Sequence, residues 1–420
     1  MKTVYAFYAA HRYWPDESAL KRACAEAAER FCGGAEYSLY WDDSASAPRA
    51  AGDCLVIIPF SGAVQGMMLA HAHGFEHVII CAAYIRGSLS ATAADNMLRA
   101  NAAPAFMDTW AVLRRTHAGA YIALSAIELA QRLQTLEAAE YVRNAKILKI
   151  GATEPWVVSN APDISIYEAR FGVHIIPVDQ SEVVRRYGNT SRTDAQLYYD
   201  WFKSHSAMQV EPSDGDLWNA SRMAGALCSL LEDHGAEGAA IACFNLLKTG
   251  TNMCLGVSFI NDCTSRFISC ECDMDSAVTM LLMKKLTKYK LWMANPGLQP
   301  DKTINFSHCT APICAMGEPL PTALRSHHES GIGVSLQVDV PAGIPVTACR
   351  VSDNCGSITI HSGVTVSGAY ENACRTQVHV RLDDFDRYVS TTLGCHQVFA
   401  FEDIADRVRD LAALFKLSEL

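Results

Sequence analysis

The sequence predicts an α/β protein that ends in a β-rich, barrel-like, antiparallel domain, and three observations predict it. Short apolar runs alternate with alanine-rich amphipathic stretches, a βαβ rhythm that favours parallel sheet covered by helices. The composition then changes after Pro296-Gly297, beyond which Val, Thr, Ile and Gly dominate. Finally, period-2 alternation recurs in that last part, as in Val334–Val338, Ser357–His361 and Gln377–Arg381. A chain of 420 residues also exceeds one ordinary core, so the expected domains are 1–145, 146–296 and 297–420.

The elements follow in order. Thr3–Tyr8 reads as an opening strand and Glu17–Phe31 as a helix begun by Pro15-Asp16. Cys54–Pro59 and His77–Ala82 are continuous apolar runs of strand length, with a helical run through Ala72 between them. Ser61–Gly66 lacks both GxGxxG and the lysine of a phosphate loop, so it reads as a tight strand-to-helix turn. A helix-rich stretch over Ala94–Asn144 leads to the strand Lys146–Gly151, which opens a second α/β set. Its expected parts are the strand Val173–Val178, helices over Thr193–His205 and Leu217–His234, and the strand Ala239–Phe244. The strand Phe267–Cys270 and the helix Ser276–Lys288 complete it. Glu402–Leu417, with Ile404, Val408, Leu411, Leu414 and Phe415 at helical spacing, is a closing amphipathic helix.

Composition removes several classes. Half the residues are hydrophobic and 19% are charged, as in a well-buried globular chain. A formal charge of −10 argues against nucleic acid as a partner, because phosphate binding needs clustered Lys and Arg. The opening Met-Lys-Thr-Val-Tyr-Ala-Phe-Tyr lacks the apolar core of a secretory leader, and no long uninterrupted apolar run promises a membrane span. Sixteen cysteines lie scattered in apolar contexts without a CxxC pair, which suits free thiols in a reducing cytoplasm. No GxSxG elbow occurs, and neither Cys309 nor Cys395 sits in a context diagnostic of thiol catalysis.

The chemistry concentrates in Phe267-Ile-Ser-Cys-Glu271-Cys-Asp273-Met-Asp-Ser276, where an apolar strand runs into two carboxylates at i, i+2 and a helix follows at once. Acids at the carboxyl end of a buried strand stand where open α/β sheets bind ligands. Two charges so close shift a pKa or recruit a cation. If the strand stays extended, Glu271 and Asp273 share one face, and Asp275, directly before the helix, is the better helix cap. Isolated histidines in polar or glycine-rich contexts could complete a metal site: His308 at a strand end, His327 beside His328, and His396 after Gly394-Cys395. Of the adjacent pair, at most one should enter the site. Oxygen and nitrogen ligands without cysteine suit Mn²⁺, Mg²⁺ or Co²⁺.

These segments resemble the L-fucose isomerase / L-arabinose isomerase superfamily, in particular its shorter fucose-isomerase-like members. The resemblance rests on Cys270-Glu-Cys-Asp273 with Ala277–Met280, His308–Pro312, Leu324–His327 with Glu329–Val334, Cys374–Gln377 and Gly394-Cys-His396, all in order from about Ala240 onward. It implies two Rossmann-like α/β domains followed by the barrel-like domain, and a cytoplasmic homo-oligomer, trimer or hexamer, with sites at subunit interfaces. It also implies metal-dependent aldose–ketose isomerisation of a free monosaccharide through an enediol. Asp273 and His396 are the implied ligands of the ion, most readily Mn²⁺. Glu271 and Asp273 are then the catalytic carboxylates, and His308, His327 and Arg375 bind substrate. A further glutamate of that family has no counterpart in Lys248–Leu255, and Glu271 is the substitute at hand. The alternatives are a catalytically diverged sugar-binding protein on the same scaffold, or a metal-dependent sugar epimerase or lyase.

Overall fold

The computed structural model describes residues 1–14, 16–42, 53–82, 102–161 and 163–420. The chain divides into two compact units, Met1–Glu137 and Ala138–Leu420.

The first unit is built on a five-stranded, all-parallel sheet in the order Tyr37–Trp41, Thr3–Ala9, Cys54–Pro59, His77–Cys81, Ala120–Ala123. Its central strand, Cys-Leu-Val-Ile-Ile-Pro, is buried along its whole length, as a strand covered on both faces must be. The helix Glu17–Cys32 starts where the Asp16 carboxylate accepts from the N–H groups of Ser18 and Ala19. It stops at Gly33, whose φ of +60° suits a residue without a side chain. Ser61–Val64 turns into the helix Gln65–Ala72, and the Ser61 hydroxyl accepts from the Ala10 N–H at 2.7 Å. The long helical stretch is two helices, Ala102–Thr116 and Ala126–Arg143, parted by the edge strand Ala120–Ala123. Its part before residue 102 lies outside the described residues. Four residues, Ala-Tyr-Ile-Ala, are too few for a period to emerge from helix-forming surroundings.

The second unit opens on a four-stranded parallel sheet ordered Phe267–Ser269, Gly238–Ile241, Lys146–Ile150, His174–Val178. Its helices include Arg192–His205 and Asp214–His234, each begun by a serine–aspartate capping box. The antiparallel part follows Pro345–Ser352, Gln397–Ala400, Leu291–Leu298, Ile304–His308, Thr376–Leu382, Ser357–Val366. The last of these pairs back with the first, so the sheet closes into a barrel. The strand Leu291–Leu298 runs through Pro296-Gly297, so the change in composition lies inside a barrel strand rather than ahead of it. Ser335–Val338, Thr322–Arg325 and Met208–Gln209 form a separate small sheet, tied to the barrel strand Thr376–Leu382 through the Thr376 hydroxyl. The helix Ala405–Leu414 buries Ala405, Val408, Leu411 and Ala412 against one core, shared with the helix Met274–Met283 and the barrel strands carrying Val351, Ile358 and Val398. Among the described residues, no helix is long and apolar enough to cross a membrane.

Candidate metal centre

The acidic corner does not continue the strand. The parallel strand ends at Ser269, and Glu271 and Cys272 both take left-handed backbone, with φ of +60° and +50°. Residues with a side chain avoid that region unless their surroundings hold them there. Here the holding contacts are backbone hydrogen bonds: Cys272 N–H to Ile241 O at 2.9 Å, Asp273 N–H to Cys270 O at 3.0 Å, and Glu154 N–H to Glu271 O at 3.1 Å. The expectation that Glu271 and Asp273 share a face therefore fails. The tight turn sends the two carboxylates to different partners.

Asp273, not Asp275, caps the helix Met274–Met283 and accepts from the Ser276 N–H at 2.9 Å on Oδ1. Its Oδ2 receives the Arg350 guanidinium at 3.0 Å and His396 Nδ1 at 2.7 Å. Both oxygens are thus engaged inside the protein, and the carboxylate has no exposure. Burial opposes its charge, but Arg350 and His396 outweigh burial and hold its pKa below the ordinary aspartate value. Arg350 also donates to His396 O at 2.9 Å, Ser276 Oγ at 3.1 Å and Ser159 Oγ at 2.8 Å. Asp275 lies 3.5 Å from Arg350 and accepts from Tyr167 and Ser352, both at 2.6 Å. Burial is the main reason that the Asp275 pKa rises to about 6.

Glu271 faces the other way. Its Oε2 accepts from the Trp156 indole N–H at 2.6 Å, and its Oε1 lies 3.4 Å from His396 Nε2. His308 stands at the end of the strand Ile304–His308, as its sequence context suggested, with its ring centroid 6.2 Å from that of His396. One ligand atom from each of Glu271, His308 and His396 can be chosen so that all lie within 4.8 Å of one another.

Each imidazole is oriented by a second partner. His396 gives Nδ1 to Asp273, and His308 shares a hydrogen bond of 2.8 Å between Nδ1 and Thr310 Oγ1. Both Nε2 atoms remain for the centre, the arrangement by which outer partners fix a metal-binding histidine. One carboxylate and two oriented imidazoles are a donor set that fits a divalent transition ion. Burial, with His396 nearby, lowers the His308 pKa to about 4, so this ring is a neutral donor at physiological pH. In His396, burial is overcome by the hydrogen bonds and charges of Asp273 and Glu271, and the pKa rises to about 9.

Two cavities meet at this triad. One is lined by Glu271, His308, His327 and Glu329 together with Phe244 and several thiols, Cys309 and Cys374 among them. The other is bounded by Trp156, Ser159, Arg350, Cys395 and His396. Glu271, Asn295 and Glu329 belong to both.

The remaining expected residues sort as follows. His327 enters the first cavity with Nδ1 3.0 Å from Ser330 Oγ, and His328 does not line it. Arg375 lines neither cavity: its Nε donates to Ser326 O at 2.8 Å and a terminal nitrogen to Ser326 Oγ at 3.1 Å, so it steadies the segment that carries His327. Asp273 and His396 do touch, but Asp273 binds the ring nitrogen that points away from Glu271. Lys248–Leu255 contributes Asn252, whose amide donates to Ile332 O at 2.8 Å.

Sequence reasoning missed Trp156, Arg350 and Asn295, and the place of Glu329 in the cavity lining. Arg350 had a signal, a lone cation between Cys349 and Val351 in an apolar strand, where a buried charge demands a partner. Trp156 had none.

No family model matches the chain, and no curated protein matches it.

Proposed function

We propose that the protein is a metal-dependent aldose–ketose isomerase acting on a free monosaccharide. The observation that carries this reading is the convergence of Glu271, His308 and His396 where two cavities meet. These three residues would hold the ion, and Mn²⁺ or Co²⁺ suits two imidazoles and a carboxylate better than Mg²⁺, which favours oxygen. When bound, such an ion supplies Lewis acidity toward the oxygens of an open-chain sugar.

The chain's own residues do the rest. Asp273 holds His396 in one orientation and one tautomer, so that Nε2 is presented to the centre. Arg350 keeps Asp273 ionised and in place. Trp156 fixes the Glu271 carboxylate by holding Oε2, leaving Oε1 toward the imidazole. His327 and Asn295 line the cavity where hydroxyl groups would be bound, and the thiols with Phe244 exclude water from the apolar end. Cytoplasmic residence and a homo-oligomer remain part of this proposal through the resemblance noted above.

The test is metal analysis of the purified protein followed by an isomerisation panel of free pentoses and hexoses, with and without EDTA. Conversion that EDTA abolishes and Mn²⁺ or Co²⁺ restores supports the reading. Saturable sugar binding without conversion points instead to the diverged sugar-binding protein. Loss or inversion at a single carbon, without aldose–ketose exchange, points to the lyase or epimerase.

A further inference from the structure

On that reading of the site, we infer that Glu329 is the carboxylate that carries the proton between the two carbons of the substrate. The site needs such a group, because its other acids are engaged. Asp273 has both oxygens held by Ser276, Arg350 and His396. Glu271 is held by Trp156 on one oxygen and faces His396 with the other. Glu154 accepts from the Phe244 N–H at 3.2 Å.

Glu329 differs from all three. It lines both cavities, and among the described residues no hydrogen bond or ion pair engages its carboxylate. The residue is exposed, yet partial desolvation of its carboxylate, together with the charge of Glu271, raises its pKa above the ordinary glutamate value, which strengthens it as a base.

The backbone around it is fixed. Gly331 N–H donates to His327 O at 2.9 Å, closing the turn that contains Glu329. Asn252 holds Ile332 O, and Gly333, at φ +68°, lies so near Asn252 that a Cβ would stand 2.6 Å from its backbone nitrogen. The carboxylate is therefore carried by an anchored turn and is itself unengaged, which suits a group that must form and break contacts in each turnover.

The step balances without any co-reactant. The C2–H bond of the aldose breaks, its proton passes to the Glu329 carboxylate, and the electron pair forms the C1=C2 bond while O1 takes the charge. The O2 proton moves to O1. The carboxylic acid then returns its proton to C1, which yields the ketose and regenerates the carboxylate.

The experiment compares the full-length wild-type chain with Glu329→Gln. Deuterium entry from D₂O into the most rapidly converted sugar of the panel is followed by NMR, and Mn²⁺ binding to the metal-free proteins by calorimetry. The expected result is a fall in exchange and conversion of about 10²–10⁴-fold with unchanged Mn²⁺ affinity. Exchange that survives within a few-fold overturns the inference and leaves the isomerase reading standing. Loss of Mn²⁺ binding in Glu329→Gln also overturns it, by making Glu329 a ligand. A wild-type chain that exchanges no sugar proton overturns the inference and the isomerase reading together.

Discussion

His396 Nδ1 lies 2.7 Å from Asp273 Oδ2, across 123 residues of sequence, with both side chains all but sealed from solvent. On the proposed reading, the aspartate acts on the centre through this ring rather than by touching it. Asp273→Asn keeps the shape and removes the charge, so Mn²⁺ affinity measured by calorimetry should fall by about 10–100-fold, the usual effect of losing an outer partner. Complete loss of binding would make Asp273 a direct ligand and contradict the geometry.

The converse holds for the triad. Glu271→Gln and His308→Ala each remove a donor, and each should weaken Mn²⁺ binding more than Asp273→Asn does. Parallel titrations of the three variants give the ranking. An equal effect from all three would mean that the centre lies elsewhere.

Arg350 is 1% exposed and lies against two buried carboxylates. Arg350→Met fills the space without the charge and leaves Asp273 and Asp275 uncompensated. Breaking a buried pair from one side costs about 3–5 kcal/mol, to be read as a shift in the urea unfolding midpoint at constant slope. A variant as stable as the parent would remove Arg350 from the account.

Metal binding should depend on pH with a definite sign. The His396 pKa is raised to about 9, so at neutral pH the metal-free ring carries a proton on the Nε2 that the ion needs. Binding must displace it, and affinity should climb as pH rises toward 9 and level off above it. Calorimetry near pH 7.5 in buffers of different ionisation enthalpy should show release of about one proton per ion. The same shift stabilises the metal-free fold fully below the unfolded histidine pKa, and that stability is lost as pH rises through about 9. Alkaline conditions should thus favour metal uptake while loosening the empty protein, and melting curves with and without Mn²⁺ should diverge as pH increases.

Much of the architecture was legible, because continuous apolar runs such as Cys54–Pro59 and alternating ones such as Ser357–His361 are the direct imprint of two-sided and one-sided burial. The short edge strands Tyr37–Trp41 and Ala120–Ala123 were not, since neither is buried along its length. At the centre, residue types were legible but their partners were not. Glu271, His308 and His396 stood out as isolated ionisable groups at element ends. Two consecutive left-handed residues at Glu271 and Cys272 leave no mark on composition, yet that turn decides which acid faces the cavity. Arg350 and Trp156 belong to the site only through long-range pairing, which periodicity does not encode.

The closure of the barrel sets when the centre can exist at all. His308 and His396 sit on or beside barrel strands, while Glu271 follows the last strand of the parallel sheet. The three donors therefore come together only when the parallel sheet and the barrel are both in place. On the proposed reading, a chain with either sheet unformed offers an ion isolated donors rather than a site.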